Sequence, residues 1–379
     1  MHKARPSLKK HKRIVIKIGS NVIASQGSGL DEARLQEIAE EVSVFFHEGT
    51  EIFLVSSGSI LCGIEKLGLS RPPKTIPMKQ ASAAVGQSRL MWAYERFFKE
   101  YDIKVAQVLL TQDDIADRRR FINARNTLMT LLERNIIPII NENDTVTVDE
   151  IKLGDNDSLA AQVLHLVDAS LLIALSDVDG LYTEDPRKYS NASVLPLVEG
   201  VTDEIKAMAG GSSRPGGTGG MATKVKMAGE VSAYGGTTLI LNGTVRGAMK
   251  RAFQGDEIGT LFLPKPGRNS SKKHWISYSL KVKGKVLLDS GAVEALRSRG
   301  RSLLPSGILS VEGRFETGDA ILCLSPDRKE IAKGLTNYNA SEMIQIKGLH
   351  STEIEKVLGY KGMDEVIHRD NMVMINDTL

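Results

Sequence analysis

The chain has 379 residues, 41% hydrophobic and 25% charged, a globular composition with room for two domains at roughly 150 residues each and none of the bias of a disordered or fibrous protein. No apolar run approaches the length of about 18 residues that a transmembrane helix needs, and two cysteines, Cys62 and Cys323, far apart in sequence, indicate neither a disulfide framework nor a zinc site. The net charge of +3 is uneven: residues 1–13 carry six Lys or Arg and no acid, whereas residues 281–379 balance 14 basic against 14 acidic side chains.

The basic lead, residues 1–13, reads as a solvated, frayed N-terminal tail. No apolar signal region follows it, because Lys17 interrupts Ile14–Ile18, so a cytoplasmic protein is expected. From Arg13 to about Leu263 strands and helices alternate. Apolar β-rich runs fall at Ile14–Ile18, Ile52–Val55, Val105–Leu110, Ile136–Ile140, Ala169–Leu175 and Thr237–Leu241, and helical periodicity at Glu32–Glu48, Lys79–Tyr101, Ile122–Arg134 and Ser158–Val167. That pattern predicts an α/β fold: an αβα sandwich on an open, mainly parallel sheet. Composition turns to Pro, Gly, Ser and basic residues over 265–280, which reads as a linker. Short glycine-punctuated strands follow, with a helix at Ser290–Arg299, and predict a small β-rich, half-open barrel. The expected divisions are a tail (1–13), a catalytic domain (14–264), the linker (265–280), the barrel (281–361) and a C-terminal segment (362–379).

The loops carry the chemistry. Asn141-Glu142-Asn143-Asp144 follows the strand Ile136–Ile140, and Gly154-Asp155-Asn156-Asp157 comes soon after, around a hairpin-like stretch from Val146 to Ile151. Amides and carboxylates so dense, without His or Cys, suit a small zwitterion or magnesium better than zinc. Ligands of a parallel sheet bind beyond the carboxyl ends of its strands, where these residues fall. Lys17 lies on the first strand ahead of Gly19-Ser20; Ser56-Ser57-Gly58-Ser59 joins the second strand to a helix; and Gly216-Gly217-Thr218-Gly219-Gly220-Met221-Ala222-Thr223-Lys224 ends in a lysine at a helix start. Three such turns, two carrying lysine, favour a triphosphate cleft built from backbone amides and helix N-termini. There is no P-loop: the one Gly-Lys pair, Gly284-Lys285, is followed by Val286. His368-Arg369-Asp370 matches a protein-kinase catalytic loop by chance, with no Asp-Phe-Gly after it.

With Leu175-Ser176-Asp177-Val178-Asp179-Gly180, these segments resemble the amino acid kinase family. Val85-Gly86-Gln87-Ser88, Ala124-Arg125, Asn141 to Asp144, Lys152 to Asp157 and Gly217 to Met221 are most similar to those members that phosphorylate the γ-carboxylate of L-glutamate at the head of proline synthesis. The likeness runs from Ile14 to Arg369 and takes in a C-terminal domain that resembles a PUA domain. It implies that Lys17, Lys224 and Asp157 are catalytic, with Asp157 ordering the two lysines. ATP would meet Lys17, Ser176, Asp177, Thr218, Gly219, Gly220, Met221, Ala222, Thr223 and Lys224, and glutamate would meet Ser57, Asp144 and Asn156. ATP and Mg²⁺, the ion carried with the nucleotide, are the implied cofactors. L-proline is the implied feedback inhibitor, a homo-oligomer (dimer or tetramer) the implied assembly, and glutamate 5-phosphate reductase the implied recipient of product. Ser59 and Cys62 stand where relatives usually carry small apolar residues.

The chemistry agrees without the likeness. A γ-carboxylate, with an ordinary pKa near ~4.3, is already ionised at neutral pH and needs no general base; none of these loops contains a His. The barrier is the approach of one anion to another, which lysines, Mg²⁺ and amides would lower. Asp144 is placed to accept hydrogen bonds from an α-ammonium, and the amides of Asn143 and Asn156 can serve either end of the zwitterion. Two rivals are another amino acid kinase, specific for aspartate or N-acetylglutamate, and an RNA-binding protein on a degenerate kinase scaffold. The electrical neutrality of residues 281–379 argues against RNA binding there.

Overall fold

The computed structural model describes residues 5–25, 29–146, 156–210, 220–264, 280–360 and 363–375. Two compact units emerge: Met1–Gln112 with Asn123–Arg268, and Asp113–Ile122 with Asn269–Leu379.

The first unit is built on eight strands, β1 (Arg13–Ile18), β2 (Glu51–Ser56), β3 (Lys104–Leu110), β4 (Ile136–Glu142), β5 (Leu171–Ser176), β6 (Leu197–Glu199), β7 (Thr237–Asn242) and β8 (Thr260–Leu263), in the order β3-β4-β2-β1-β5-β7-β8-β6. Neighbours are parallel except β7 and β8. The six expected strands are present; β6 and β8, three and four residues long, have no sequence signal of their own. Helices α1 (Glu32–His47), α2 (Ser59–Lys66), α3 (Ile76–Lys99), α4 (Gln112–Ala116), α5 (Arg118–Glu133), α6 (Asn156–Leu166), α7 (Asp203–Ala209), α8 (Met221–Tyr234) and α9 (Ala248–Gln254) fill the connections, with nearly all of α4 and the start of α5 counted in the second unit.

Side-chain alternation along the central strand explains the layering. Ile14, Ile16 and Ile18 join Ile52, Leu54, Ile173 and Leu239 in a core completed by Leu35 and Ile38 of α1, Leu90 and Tyr94 of α3 and Met249 of α9. Val15 and Lys17 therefore point to the opposite face, the one covered by α6 and α8. The lysine that interrupts the apolar run Ile14–Ile18 is thus placed under two helices. The chain leaves β1 for β2 on one side of the sheet and reaches β5 on the other, so the crevice lies above β2, β1 and β5.

The frayed lead-in expected from the sequence is not found from Arg5 onward. Arg5 Nη1 donates to Ile258 O at 2.7 Å, Nη2 to Gly259 O at 2.6 Å and Nε to Pro196 O at 2.9 Å. Leu8 joins the core, and His11 Nδ1 meets Ser170 Oγ at 2.8 Å. A basic run reads as solvated when its carbonyl partners are remote in sequence, which hides an internal clamp of this kind.

The second unit has strands β9 (Val282–Leu288), β10 (Ile308–Gly313), β11 (Ala320–Leu324), β12 (Glu330–Leu335) and β13 (Met372–Met374) in the order β10-β9-β11-β12-β13; β9 and β11 are parallel and the other pairs antiparallel. Helix α10 (Ser290–Arg299) starts at Asp289, whose Oδ1 accepts from Ala292 N at 2.6 Å, an N-cap that satisfies an otherwise orphaned amide. Val286, Leu288, Leu296, Ile321 and Cys323 form its core. Both thiols are buried and pushed up by that burial, Cys62 to about 11 and Cys323 to about 12, so they behave as small hydrophobes. The expected linker falls almost wholly on residues 265–279, outside the described residues. No helix among the described residues is long and apolar enough to cross a membrane.

Candidate active site

Asp157 sits in the first turn of α6, 1% exposed, between two buried lysines. Its Oδ1 lies 2.6 Å from Lys17 Nζ; its Oδ2 lies 3.3 Å from Lys224 Nζ and accepts from Thr223 Oγ1 at 2.8 Å. Burial alone would raise the carboxyl's pKa. The two ammonium groups and the Thr223 hydroxyl outweigh it and hold Asp157 down at about 2. Its place in the first turn of a helix adds a favourable dipole. Strand β1 supplies Lys17, and the first turn of α8 supplies Thr223 and Lys224. Two cations balanced by one anion leave a positive site beneath the crevice.

Two helices open toward that crevice without side-chain caps. The N-cap residue is Gly220 for α8 and Gly58 for α2, neither with a side chain to cap with, so the first amides remain available to an anion. Gly58 has φ +112°, and a Cβ there would lie 2.9 Å from Ile23 Cδ1; only glycine suits this turn. At the end of β5, Asn21 Nδ2 donates to Asp177 Oδ2 at 3.1 Å and Ser176 Oγ to Asp177 Oδ1 at 3.3 Å, tying the loops after β1 and β5 together.

The glutamate residues expected from the sequence gather on the β2–β4 side. Asn156 Nδ2 donates to Ser56 O at 2.8 Å, Ser57 Oγ at 3.0 Å and Asn141 Oδ1 at 2.8 Å. Asp144 is reached through Ser59, whose Oγ donates to Asp144 Oδ2 at 3.2 Å. Burial raises the Asp144 pKa, and the Ser59 hydroxyl lowers it. A cavity of about 320 Å³, lined by Asp144, Ser59, Asn143, Gln87 and Gln107 among others, opens beside them. Helices α2 and α3 pack hard against each other to form this wall: a Cβ on Gly63 would fall 1.8 Å from Ser82 O, and one on Gly86 1.9 Å from Ser59 O.

The structure therefore brings Lys17, Asp157, Thr223 and Lys224 into one cluster and Ser57 and Asn156 into direct contact, with Gly220, Met221 and Ala222 opening α8 beside the first and Ser176 and Asp177 at the end of β5. Thr218, Gly219, Lys152 to Asp155 and most of the Val146–Ile151 stretch lie outside the described residues. Three participants carry no separate signal in the sequence: Asn141, the hub of the amide contacts; Gln87, its partner; and Ser59, the support of Asp144. All three stand inside motifs that the sequence does mark, and only their partners are illegible there.

The sequence pattern that defines the amino acid kinase family matches residues 12–242, and that of the PUA domain residues 284–358. The glutamate 5-kinase of Geobacter sp. strain M21 is 50% identical over 368 residues, covering 97% of this chain and 99% of that protein. Those of Pelobacter propionicus and Carboxydothermus hydrogenoformans are each 47% identical over 98% of this chain and all of their own length.

Proposed function

The chain belongs to the amino acid kinase family, and from that premise we propose that its lysine–aspartate cluster serves transfer of the γ-phosphoryl group of ATP to the γ-carboxylate of L-glutamate, giving L-glutamyl 5-phosphate, the first step of proline synthesis. The observation that carries this reading is the Lys17–Asp157–Lys224 cluster beneath the strand ends. The near full-length likeness to glutamate 5-kinases supports glutamate as the acceptor.

Each part has work in such a transfer. The uncapped starts of α2 and α8 present amides to phosphate oxygens, and Ser176, Asp177 and the segment Thr218 to Lys224 are the proposed nucleotide contacts. Lys17 and Lys224 stand, already desolvated and oriented by Asp157, where charge develops on the transferred group, so little reorganisation accompanies the step. The glutamate carboxylate attacks in line with the leaving oxygen of ADP, and no proton needs to move. Ser57, Asp144 and Asn156 hold the amino acid. Two lysines less one aspartate offset only part of a triphosphate's charge. That deficit supports Mg²⁺ as the ion brought in by ATP, where it would neutralise the phosphate oxygens.

The reaction is placed in residues 14–264, with the PUA-like domain at 281–361 outside it; a chain ending at Pro264 should then retain turnover. L-proline, which has the same α-carboxylate and ammonium but no γ-carboxylate, is proposed to inhibit by competing with glutamate. Trp92, Met78 and Ile76 of α3, at 54%, 43% and 38% exposure, support assembly as a homo-oligomer, dimer or tetramer. An acyl phosphate hydrolyses readily, which supports direct transfer to glutamate 5-phosphate reductase.

The test is ADP formation with ATP and Mg²⁺ and, in turn, L-glutamate, L-aspartate and N-acetyl-L-glutamate, with trapping of the acyl phosphate by hydroxylamine. Turnover confined to L-glutamate is expected; preference for either other acid would overturn the reading.

A further inference from the structure

We propose that Gln87 binds the α-carboxylate of the amino acid substrate, as the donor end of a relay of three amides whose direction the backbone fixes; the proposal rests on the reading of this site as an amino acid pocket.

The relay runs Gln87, Asn141, Asn156. Each side-chain amide has one donating and one accepting end, and the backbone determines which is which. The N–H of Glu142 can only donate, and it donates to Asn141 Oδ1 at 2.9 Å. The Nδ2 of Asn141 is thereby turned to Gln87, where it donates to Oε1 at 2.9 Å. Gln87 is left with its NH₂ group facing away from the relay. At the other end the carbonyl of Ser56 can only accept, and it accepts from Asn156 Nδ2 at 2.8 Å. Asn156 is left with Oδ1. Neither amide can flip without setting two donors or two acceptors against each other.

The atoms left over match a zwitterion. Gln87 Nε2, Asn156 Oδ1 and Asp144 Oδ1 are all buried and have no hydrogen-bond partner among the described residues. An orphaned buried polar atom is costly, and three of them, one donor and two acceptors, in residues joined by the relay or lining one cavity mark a ligand's place. Asp144 and Asn156 offer acceptors, fit for an ammonium group; Gln87 offers a neutral donor, fit for a carboxylate. Gln87 and Asp144 line the same cavity of about 320 Å³, a size at the lower end of metabolite pockets. Gln87 reaches it because Gly86 lets α3 lie directly on α2: a Cβ at Gly86 would fall 1.9 Å from Ser59 O, which excludes any larger residue. Asn156, which sequence alone leaves free to serve either end of glutamate, is committed to the ammonium side.

The experiment compares L-glutamate with its α-amide, L-isoglutamine, which keeps the ammonium and the γ-carboxylate and loses only the α-carboxylate charge. Wild-type enzyme is expected to prefer L-glutamate in kcat/KM by about tenfold or more, the usual scale for a hydrogen bond to a charged group. Gln87→Glu keeps an oxygen for Asn141 and replaces the donor with an anion. It should raise the KM for L-glutamate by about tenfold or more, leave that for L-isoglutamine unchanged or lower, and leave kcat within about twofold. Gln87→Met, which breaks the relay as well, should erase the same preference, and melting curves establish that each variant is folded. Wild type that uses both substrates equally, or variants in which both substrates suffer alike, would overturn the assignment of Gln87 while leaving glutamate kinase activity intact. Absence of any L-glutamate turnover by wild type would instead overturn the functional reading beneath it.

Discussion

Lys17 Nζ lies 2.6 Å from Asp157 Oδ1 although 140 positions separate the two residues, and both side chains are almost wholly buried, at 7% and 1% exposure. The pair is one arm of a cluster with more cation than anion. Asp157 is therefore the counter-charge of two buried lysines and, in the proposed reaction, would keep them in place once phosphate arrives.

Asp157→Asn should separate these duties. It leaves two desolvated ammonium groups without their anion, and breaking a buried pair in this way typically costs about 3–5 kcal/mol. The free variant should melt well below wild type. Added ATP should then stabilise it by a larger margin than it stabilises wild type, because phosphate supplies the missing negative charge. Thermal melts with and without nucleotide read both effects; a variant that melts like wild type, or gains nothing from ATP, would contradict the arrangement.

Acid should weaken the fold in two stages. Burial, reinforced by Lys10 for His11, lowers His11 and His165 from 6.5 to about 4. The unfolded chain then takes up protons on these histidines before the folded one does, so stability falls as pH drops from about 6.5 to about 4. Asp157 acts later: its stabilisation is present above the ordinary carboxylate pKa and is lost as pH falls through about 2. Asp144, raised by burial, has the opposite sign: its protonation in the folded protein begins above the ordinary carboxylate pKa and offsets part of the histidine loss. His165→Gln should flatten the upper stage of a melting-temperature profile and leave the lower one in place.

Ser59→Ala should make glutamate binding more sensitive to acid. Burial already raises the Asp144 pKa, and the Ser59 hydroxyl is the group that restrains it. Without it, Asp144 protonates at a higher pH and loses its hold on an ammonium. On acidification the KM for L-glutamate should begin to rise at a higher pH in the variant than in wild type, with kcat following the wild-type profile. Parallel KM profiles would show that the hydroxyl has no such influence.

Gly63→Ala tests the helix contact that shapes the pocket. Its methyl group would sit 1.8 Å from Ser82 O, so α2 and α3 must part. Overpacking of this kind costs about 1–3 kcal/mol, and the shift carries Ser59 and Gln87 with it. A lower melting temperature together with a higher KM for L-glutamate is expected; an unchanged KM would place the pocket wall elsewhere.

How much of this could be read in the sequence depended on distance along the chain. The strand Arg13–Ile18 was legible because its β-branched run is local, and Lys17 was legible because a charge interrupts that run. The antiparallel turn of β8 was not, since a strand of four residues, Thr260–Leu263, carries no direction. Asn141 and Gln87 meet across 54 positions, and an amide's partner cannot be inferred from its own neighbourhood. Ser59 showed only as a departure from its relatives, with a consequence that became visible once Asp144 lay beside it.

The clamp formed by Arg5 has a bearing on synthesis. Its acceptors at Ile258 and Gly259 follow it by about 250 positions, and at roughly 5–20 residues per second a ribosome needs on the order of ten seconds to a minute to make that stretch. Throughout that interval Arg5 lacks its acceptors at Ile258 and Gly259, and β8, which begins just after them, does not yet exist. A segment made before β1 is thus among the last to settle, and its clamp closes only when the sheet of the first unit has been translated to its end.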